Sequence, residues 1–288
     1  MQPIRVDRVQ LVALDRAAAA ARWRRLFDAE VVREDRVAFL AATRTVLRVG
    51  ESELELLEAD GVGAVAQHQA RVRSAVFAVG FAVEDPAAAA ASLEGRAIHH
   101  VIDNGQIHLR GEWIGVPALR VVLTRDEPRP PAGLLARVYE VTHLMRGHAR
   151  AAARLAKVFD LDPGGFVPIR SPEFGYEGTL TMLRPGRLDR IETVTPFDAK
   201  RPMGRFFARQ GPSFYMFYAE ARNAAAARAR LLECEPGAYT GPRGDREPDN
   251  FWVHPRALDG ALLGVSRESF AWTWSGHPER VRPARDAA

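Results

Sequence analysis

The chain has a single cysteine, Cys234, among its 288 residues. It can form no internal disulfide and offers no thiol pair for a zinc site, a usage that fits a cytoplasmic protein. No apolar run approaches the ~20 residues of a membrane span, and the opening Met1-Gln2-Pro3-Ile4-Arg5 lacks a signal-peptide core, so no membrane partner is expected. Lysine is nearly absent: Lys157 and Lys200 are the only two among 40 basic residues, set against 36 acidic ones. The arginines are scattered among acids, as with Arg22, Arg24 and Arg25 beside Asp28 and Glu30. The net charge of +4 therefore does not predict nucleic-acid binding, which needs a dense basic stripe. A glycine-rich phosphate loop with its lysine and a Gly-x-Ser-x-Gly elbow are both missing. What remains, at 47% apolar and 26% charged, is globular rather than disordered or fibrous, and long enough for two domains.

A repeat organises it. Val9-Gln10-Leu11-Val12-Ala13-Leu14-Asp15 alternates like a strand and runs into an alanine-rich helix, Arg16 to Asp28. The same text returns at Val141-Thr142-His143-Leu144-Met145-Arg146-Gly147, followed by a helix ending in Phe159-Asp160, in register with Phe27-Asp28. Pro128-Arg129-Pro130-Pro131-Ala132-Gly133 lies between the copies and reads as a linker. Each half repeats again: the strand Val76–Val83 with a helix from Pro86 to Leu93, and the strand Phe214–Ala221 with a helix from Asn223 to Leu232. Short β-type runs follow each pair, such as Val46–Val49 with Leu54–Glu58, and Gly178–Met182 with Arg190–Val194. The expected fold is α+β: four βαβββ units forming two tandem half-barrel domains of mainly antiparallel sheet. The boundaries are 1–125, a linker at 126–135, and 136–276. Gly241-Pro242-Arg243-Gly244-Asp245 reads as a loop.

Four such units, the first closed by Leu54-Glu55-Leu56-Leu57-Glu58, resemble the vicinal oxygen chelate superfamily. That group includes glyoxalase I, methylmalonyl-CoA epimerase, extradiol ring-cleaving dioxygenases and bleomycin-resistance proteins. The second half leans toward the epimerase-like branch, with Pro202-Met203-Gly204-Arg205-Phe206-Phe207 before its third strand and His254-Pro255 before its last. The resemblance implies half-barrels that hold a divalent metal between a residue of the first strand and one of the last strand in each unit, usually His and Glu. By register those places fall on Arg8, Glu55, Ala78 and Arg120 in the first half, and on Glu140, Glu192, Phe214 and Gly264 in the second. Arginine cannot ligate a metal. Glu55 is therefore expected between the guanidiniums of Arg8 and Arg120; the alternative is that these arginines grip an anionic ligand.

In the second half two carboxylates stand with no histidine in register, since alternation turns His143 to the opposite face. No metal and no cofactor are expected there. Glu140 and Glu192 facing one ion-free hollow would share a proton, an arrangement suited to acid–base work near neutral pH. The bland alternative pairs Glu140 with backbone and Glu192 with Arg190 or Arg184. Thr142, Leu144, Val194, Met216, Tyr218, Leu262 and Ser266 share the inward face with the ligand positions. Phe214 and Gly264 suggest room for an aromatic or hydrophobic ligand, because a filled core would not choose glycine in mid-strand. Arg205, with Lys200, Arg201 and Arg209, is a candidate for a substrate anion at the mouth. Trp272 and Trp274 are expected to pack over the domain junction, with a pocket lid as alternative. His254 belongs to a turn, and His99, His100 and His108 to the surface. The leading function is a metal-independent lyase or isomerase acting by proton transfer on a small carbonyl-bearing hydrophobic substrate. A non-catalytic sequestration protein and a metal-dependent ring-cleaving dioxygenase relative are the alternatives. A small-molecule ligand is the expected partner, and a homodimer is compatible with the sequence.

Overall fold

Strand, helix and three strands follow one another four times in the computed structural model, which describes residues 1–72, 75–244 and 246–284. Of the loop expected at 241–245, Asp245 lies outside the described residues. The first unit comprises β1 (Arg5–Val12), α1 (Arg16–Phe27), β2 (Glu30–Val37), β3 (Ala42–Val49) and β4 (Ser52–Ala59), and α2 (Ala64–Arg71) leads onward. The second comprises β5 (Val76–Val83), α3 (Pro86–Gly95), β6 (Val101–Asp103), β7 (Gln106–Arg110), a short α4 (Gly111–Ile114) and β8 (Arg120–Arg125). The third comprises β9 (Leu135–Leu144), α5 (His148–Phe159), β10 (Val167–Ser171), β11 (Tyr176–Met182) and β12 (Arg190–Pro196), followed by α6 (Pro202–Gln210). The last comprises β13 (Ser213–Ala221), α7 (Ala224–Cys234), β14 (Tyr239–Thr240), β15 (Asn250–Val253) and β16 (Leu263–Arg267).

The helices begin and end where local chemistry requires. The Asp15 carboxylate accepts from the Ala18 amide at 2.9 Å, satisfying an amide of the first turn of α1, and Asn223 does the same for α7. Asp28 and Asp160 both adopt left-handed backbone, at φ 52° and 53°, and so stop α1 and α5 at the same place in the repeat.

Two eight-stranded mixed sheets result, ordered β2-β3-β4-β1-β5-β8-β7-β6 and β10-β11-β12-β9-β13-β16-β15-β14. First and last strands of each unit pair in parallel, and the two units of a half join antiparallel through β1·β5 or β9·β13. One face of each sheet, with the alanine-rich helices, forms a continuous core that includes Val9, Phe81, Val141 and Phe217. Trp23 of α1 reaches across to Phe217, ring centroids 6.3 Å apart. With that face apolar, the period of two turns Arg8, Gln10, Glu55, Thr142 and Glu192 onto the concave side. The proline-rich stretch is strapped down rather than free. Arg129 pairs with Asp7 at 2.5 Å, Ala132 bridges Gly50, and the Leu134 amide donates to the Phe27 carbonyl at 3.0 Å.

Candidate active site

Glu55 sits fully buried at the centre of the first concave face. Arg8 Nη1 donates to its Oε1 at 2.6 Å and Gln106 Nε2 to the same oxygen at 2.5 Å. Gln10 Nε2 and Arg44 Nη1 donate to Oε2 at 2.8 and 3.0 Å. Burial alone would raise this carboxyl, but Arg8 and Arg44 outweigh it and hold its pKa down at about 2. Arg8 fits the expected place. Arg120 does not: its guanidinium lies 4.4 Å over the Phe77 ring, and Arg44 of β3 fills the role instead. Sequence reading missed Arg44, Gln10 and Gln106; alternation puts each on an inward face, but only the strand order brings them to Glu55.

The second half uses different neighbours. Glu140 lies opposite Arg190 across β9·β12; its Oε2 accepts from Nε of that guanidinium at 2.6 Å and forms an ion pair with Nη2 at the same distance. Arg190 Nη1 is held in turn by the Leu188 carbonyl at 3.1 Å. Glu192 has no guanidinium partner among the described residues, because Arg184 is turned to the Pro3 carbonyl. Glu192 Oε2 accepts the Thr142 hydroxyl at 2.5 Å, and the Tyr176 hydroxyl faces it. Burial pushes the Glu192 pKa up to about 8, with the nearby Glu140 charge adding to the rise; Thr142, Arg190 and Tyr176 offset it only in part. The two acids are thus 2% and 6% exposed, on one concave face, with one ion-paired and one not.

The remaining candidates divide. A bulge between Phe214 and Met216, opposite His143 and Thr142, shifts strand parity. Phe214 therefore joins His143 in the core behind the sheet, ring centroids 4.8 Å apart, and Tyr215 takes the inward place. Met216 and Tyr218 stay inward, opposite Thr142 and Glu140. A second bulge brings Tyr139 onto the same side, where its hydroxyl meets Ser266 Oγ at 3.2 Å. Gly264 opens no room for a ligand: a Cβ there would come within 2.1 Å of the Tyr218 ring, which occupies the space. Leu262 lies half-buried just before β16, and Arg205 is exposed on α6, its guanidinium donating to the Lys200 carbonyl. Trp272 and Trp274 cover the second half-barrel, beside Tyr139 and Tyr218, rather than the domain junction. His108 is buried, not at the surface, and His254 caps a turn by accepting from the Arg256 amide at 3.2 Å. Met203, Phe206 and Tyr215 pack with Leu144, Val194 and Tyr176 over the other end. Cavities of about 590 and 160 Å³ exist elsewhere in the molecule, and Glu192 lines neither.

A divalent metal does not fit either half. In the first, every Glu55 contact comes from a donor group, two of them guanidiniums. In the second, Glu140 is engaged by Arg190, and Met216 and Gly264 supply neither oxygen nor nitrogen where further ligands would stand. Among the described residues no three His, Cys, Asp or Glu converge as a metal site.

By sequence, no family model matches the chain and no curated protein is significantly similar to it. By structure, it superposes on a triple mutant of 4-hydroxymandelate synthase from Streptomyces coelicolor with TM-score 0.68 and 15% identity, over 98% of this chain and 100% of that one. A xylose isomerase-like TIM barrel/4-hydroxyphenylpyruvate dioxygenase fusion protein matches with TM-score 0.59 and 12% identity, over 93% of this chain and 49% of the fusion. Methylmalonyl-CoA epimerase from Mycobacterium tuberculosis matches at 17% identity and TM-score 0.37, over 46% of this chain and 89% of its own. The chain has the vicinal oxygen chelate fold, in two tandem halves. No helix among the described residues is long and apolar enough to cross a membrane.

Proposed function

We propose that the second half-barrel is a metal-independent proton-transfer site for a small, carbonyl-bearing hydrophobic substrate, with lyase or isomerase chemistry. One observation carries this reading: Glu192 is a buried carboxyl poised near pH 8, while the acid beside it is fixed in an ion pair with Arg190. A carboxyl so placed exchanges its proton close to working pH, where acid–base catalysis is most effective. As carboxylate, Glu192 takes the proton from the carbon next to the carbonyl. As acid, it returns that proton, or the electron pair left behind expels a group from the neighbouring carbon. Tyr218, half-buried and held protonated, accepts from Trp252 Nε1 at 2.8 Å and so keeps its own hydroxyl proton for the substrate oxygen. Met216, Tyr218 and Trp274 give this concave face its apolar character, and Glu140 holds Arg190 in place. Substrate entry displaces the cover of Met203, Phe206 and Tyr176. That closed apolar cover also suits a protein that only sequesters hydrophobic molecules. The dioxygenase in the name of one structural neighbour favours redox chemistry, but the donor set in this chain does not fit a metal.

The test is hydrogen exchange in D2O, followed by proton NMR, for a panel of small aromatic ketones and thioesters. Wild-type protein should accelerate exchange next to the carbonyl, with a rate rising through about pH 8, and Glu192→Gln should slow it by roughly 10²- to 10⁴-fold. Saturable binding with no exchange above buffer would instead favour sequestration.

A further inference from the structure

Three guanidiniums of the first half make no ion pair among the described residues. Arg110 and Arg120 lie directly opposite each other on β7 and β8, and Arg71 at the end of α2 adds its charge to theirs. Like charges facing across paired strands oppose folding, so this arrangement needs a reason. By contrast Arg8, Arg44, Arg129, Arg137 and Arg190 each pair with a carboxylate. Among the described residues Arg71, Arg110 and Arg120 have neither an ion pair nor a hydrogen bond, and Glu112 stays beyond pairing distance of Arg120.

Aromatic planes hold these cations in position without consuming their N–H groups. Arg110 Cζ lies 4.9 Å from the Phe39 ring and 5.2 Å from that of Trp113, while Arg120 Cζ lies 4.4 Å over Phe77. His108, two residues before Arg110 on the same face, packs 5.2 Å from Phe39 with its Nε2 buried and unpartnered. A guanidinium stacked by its face and open at its edge is prepared for bidentate contact with an oxyanion.

We propose that this is a second ligand site, separate from Glu192, at which Arg110 and Arg120 grip the carboxylate or phosphate of a small molecule with an aromatic or otherwise apolar body, and Arg71 closes over it from α2. The test is calorimetric titration of the full chain with benzoate, phenyl phosphate and inorganic phosphate. Benzoate or phenyl phosphate should bind saturably, and Arg110→Gln and Arg120→Gln should each weaken that binding by about tenfold or more. Tighter binding of benzoate assigns a carboxylate ligand, and tighter binding of phenyl phosphate a phosphate ester. Inorganic phosphate binding as tightly as phenyl phosphate overturns the apolar body, and so does equal binding by both variants for the site itself. Absence of saturation with all three probes overturns it too. Thermal unfolding supplies an independent readout. An unanswered cation predicts that Arg120→Met melts at or above wild type without ligand, whereas a fall of several degrees would make Arg120 a structural residue and end the proposal.

Discussion

Glu55 and Glu192 occupy the same place in their sheets, opposite Gln10 in one half and Thr142 in the other, yet one is held near pH 2 and the other near pH 8. The strand registers show which neighbours make the difference. Arg8 opposite Glu53 in the first half becomes Glu140 opposite Arg190 in the second, the same cross-strand pair with its charges exchanged. Arg44, opposite Leu57, becomes Gly178, opposite Val194, and a cation disappears altogether. Even the bulges correspond: Asp7 accepts from Thr124 at 3.1 Å where Tyr139 meets Ser266 at 3.2 Å. A shared backbone thus fixes where a carboxyl stands, and the signs of three neighbours decide whether it serves as a permanent anion or as a proton carrier. Clamped by two guanidiniums, Glu55 has no proton to exchange near neutral pH.

The sharpest way to break this contrast is to loosen the clamp. Arg44→Met leaves Glu55 buried with one of its two cations gone, and should cost about 3–5 kcal/mol in urea unfolding. A loss no larger than that of an exposed arginine would mean that Arg8 and the two glutamines suffice.

The pH dependence of stability tests the other side of the comparison. From pH 4.5 to about 8 the folded chain keeps a proton on Glu192 that the unfolded chain has released, so stability falls as pH rises through that window. The span amounts to roughly 5 kcal/mol at most. Glu192→Gln should flatten this limb and run above wild type at pH 8. The acid limb, where Glu55 with its lowered pKa loses stability as pH falls below 4.5, should remain. Exchanging the second pair, Glu140→Arg with Arg190→Glu, should also remove the upper limb by giving Glu192 the neighbour Glu55 has. An unchanged slope in Glu192→Gln would assign the effect to another group.

Much of this architecture is legible in the sequence because it is written four times. The alternation of Val76–Val83, the Phe-Asp helix ends at 27–28 and 159–160, and the acid-bearing strands at 54–58 and 190–194 all recur in register. Parity arguments held for Glu140, Thr142, Glu192 and His143, where the strands run regularly. They failed at Phe214, because the bulge at Tyr215 inserts one residue, so that Phe214 before it no longer shares the side of Met216 and Tyr218 after it. Partner choice was illegible for a different reason. Which of many arginines meets Glu55 depends on β3 lying beside β4, and nothing local to Arg44 distinguishes it from Arg48 or Arg120.

Gly264 gives the smallest expected effect and the most local test of the correspondence. In the first half the paired positions are Gly80 and Val122; in the second they are Tyr218 and Gly264, with the small residue on the other strand. Each glycine yields to a bulky neighbour: a Cβ on Gly80 would come within 2.1 Å of Arg8 Cγ, and one on Gly264 within 2.1 Å of the Tyr218 ring. Gly264→Ala should therefore cost about 1–3 kcal/mol by overpacking. The same change in a Tyr218→Ala background should cost far less, since the collision is gone, and that non-additivity measures the fit directly. Additive costs would place the strain in the β16 backbone, and the space at Gly264 would then have to be explained by something other than the tyrosine that fills it.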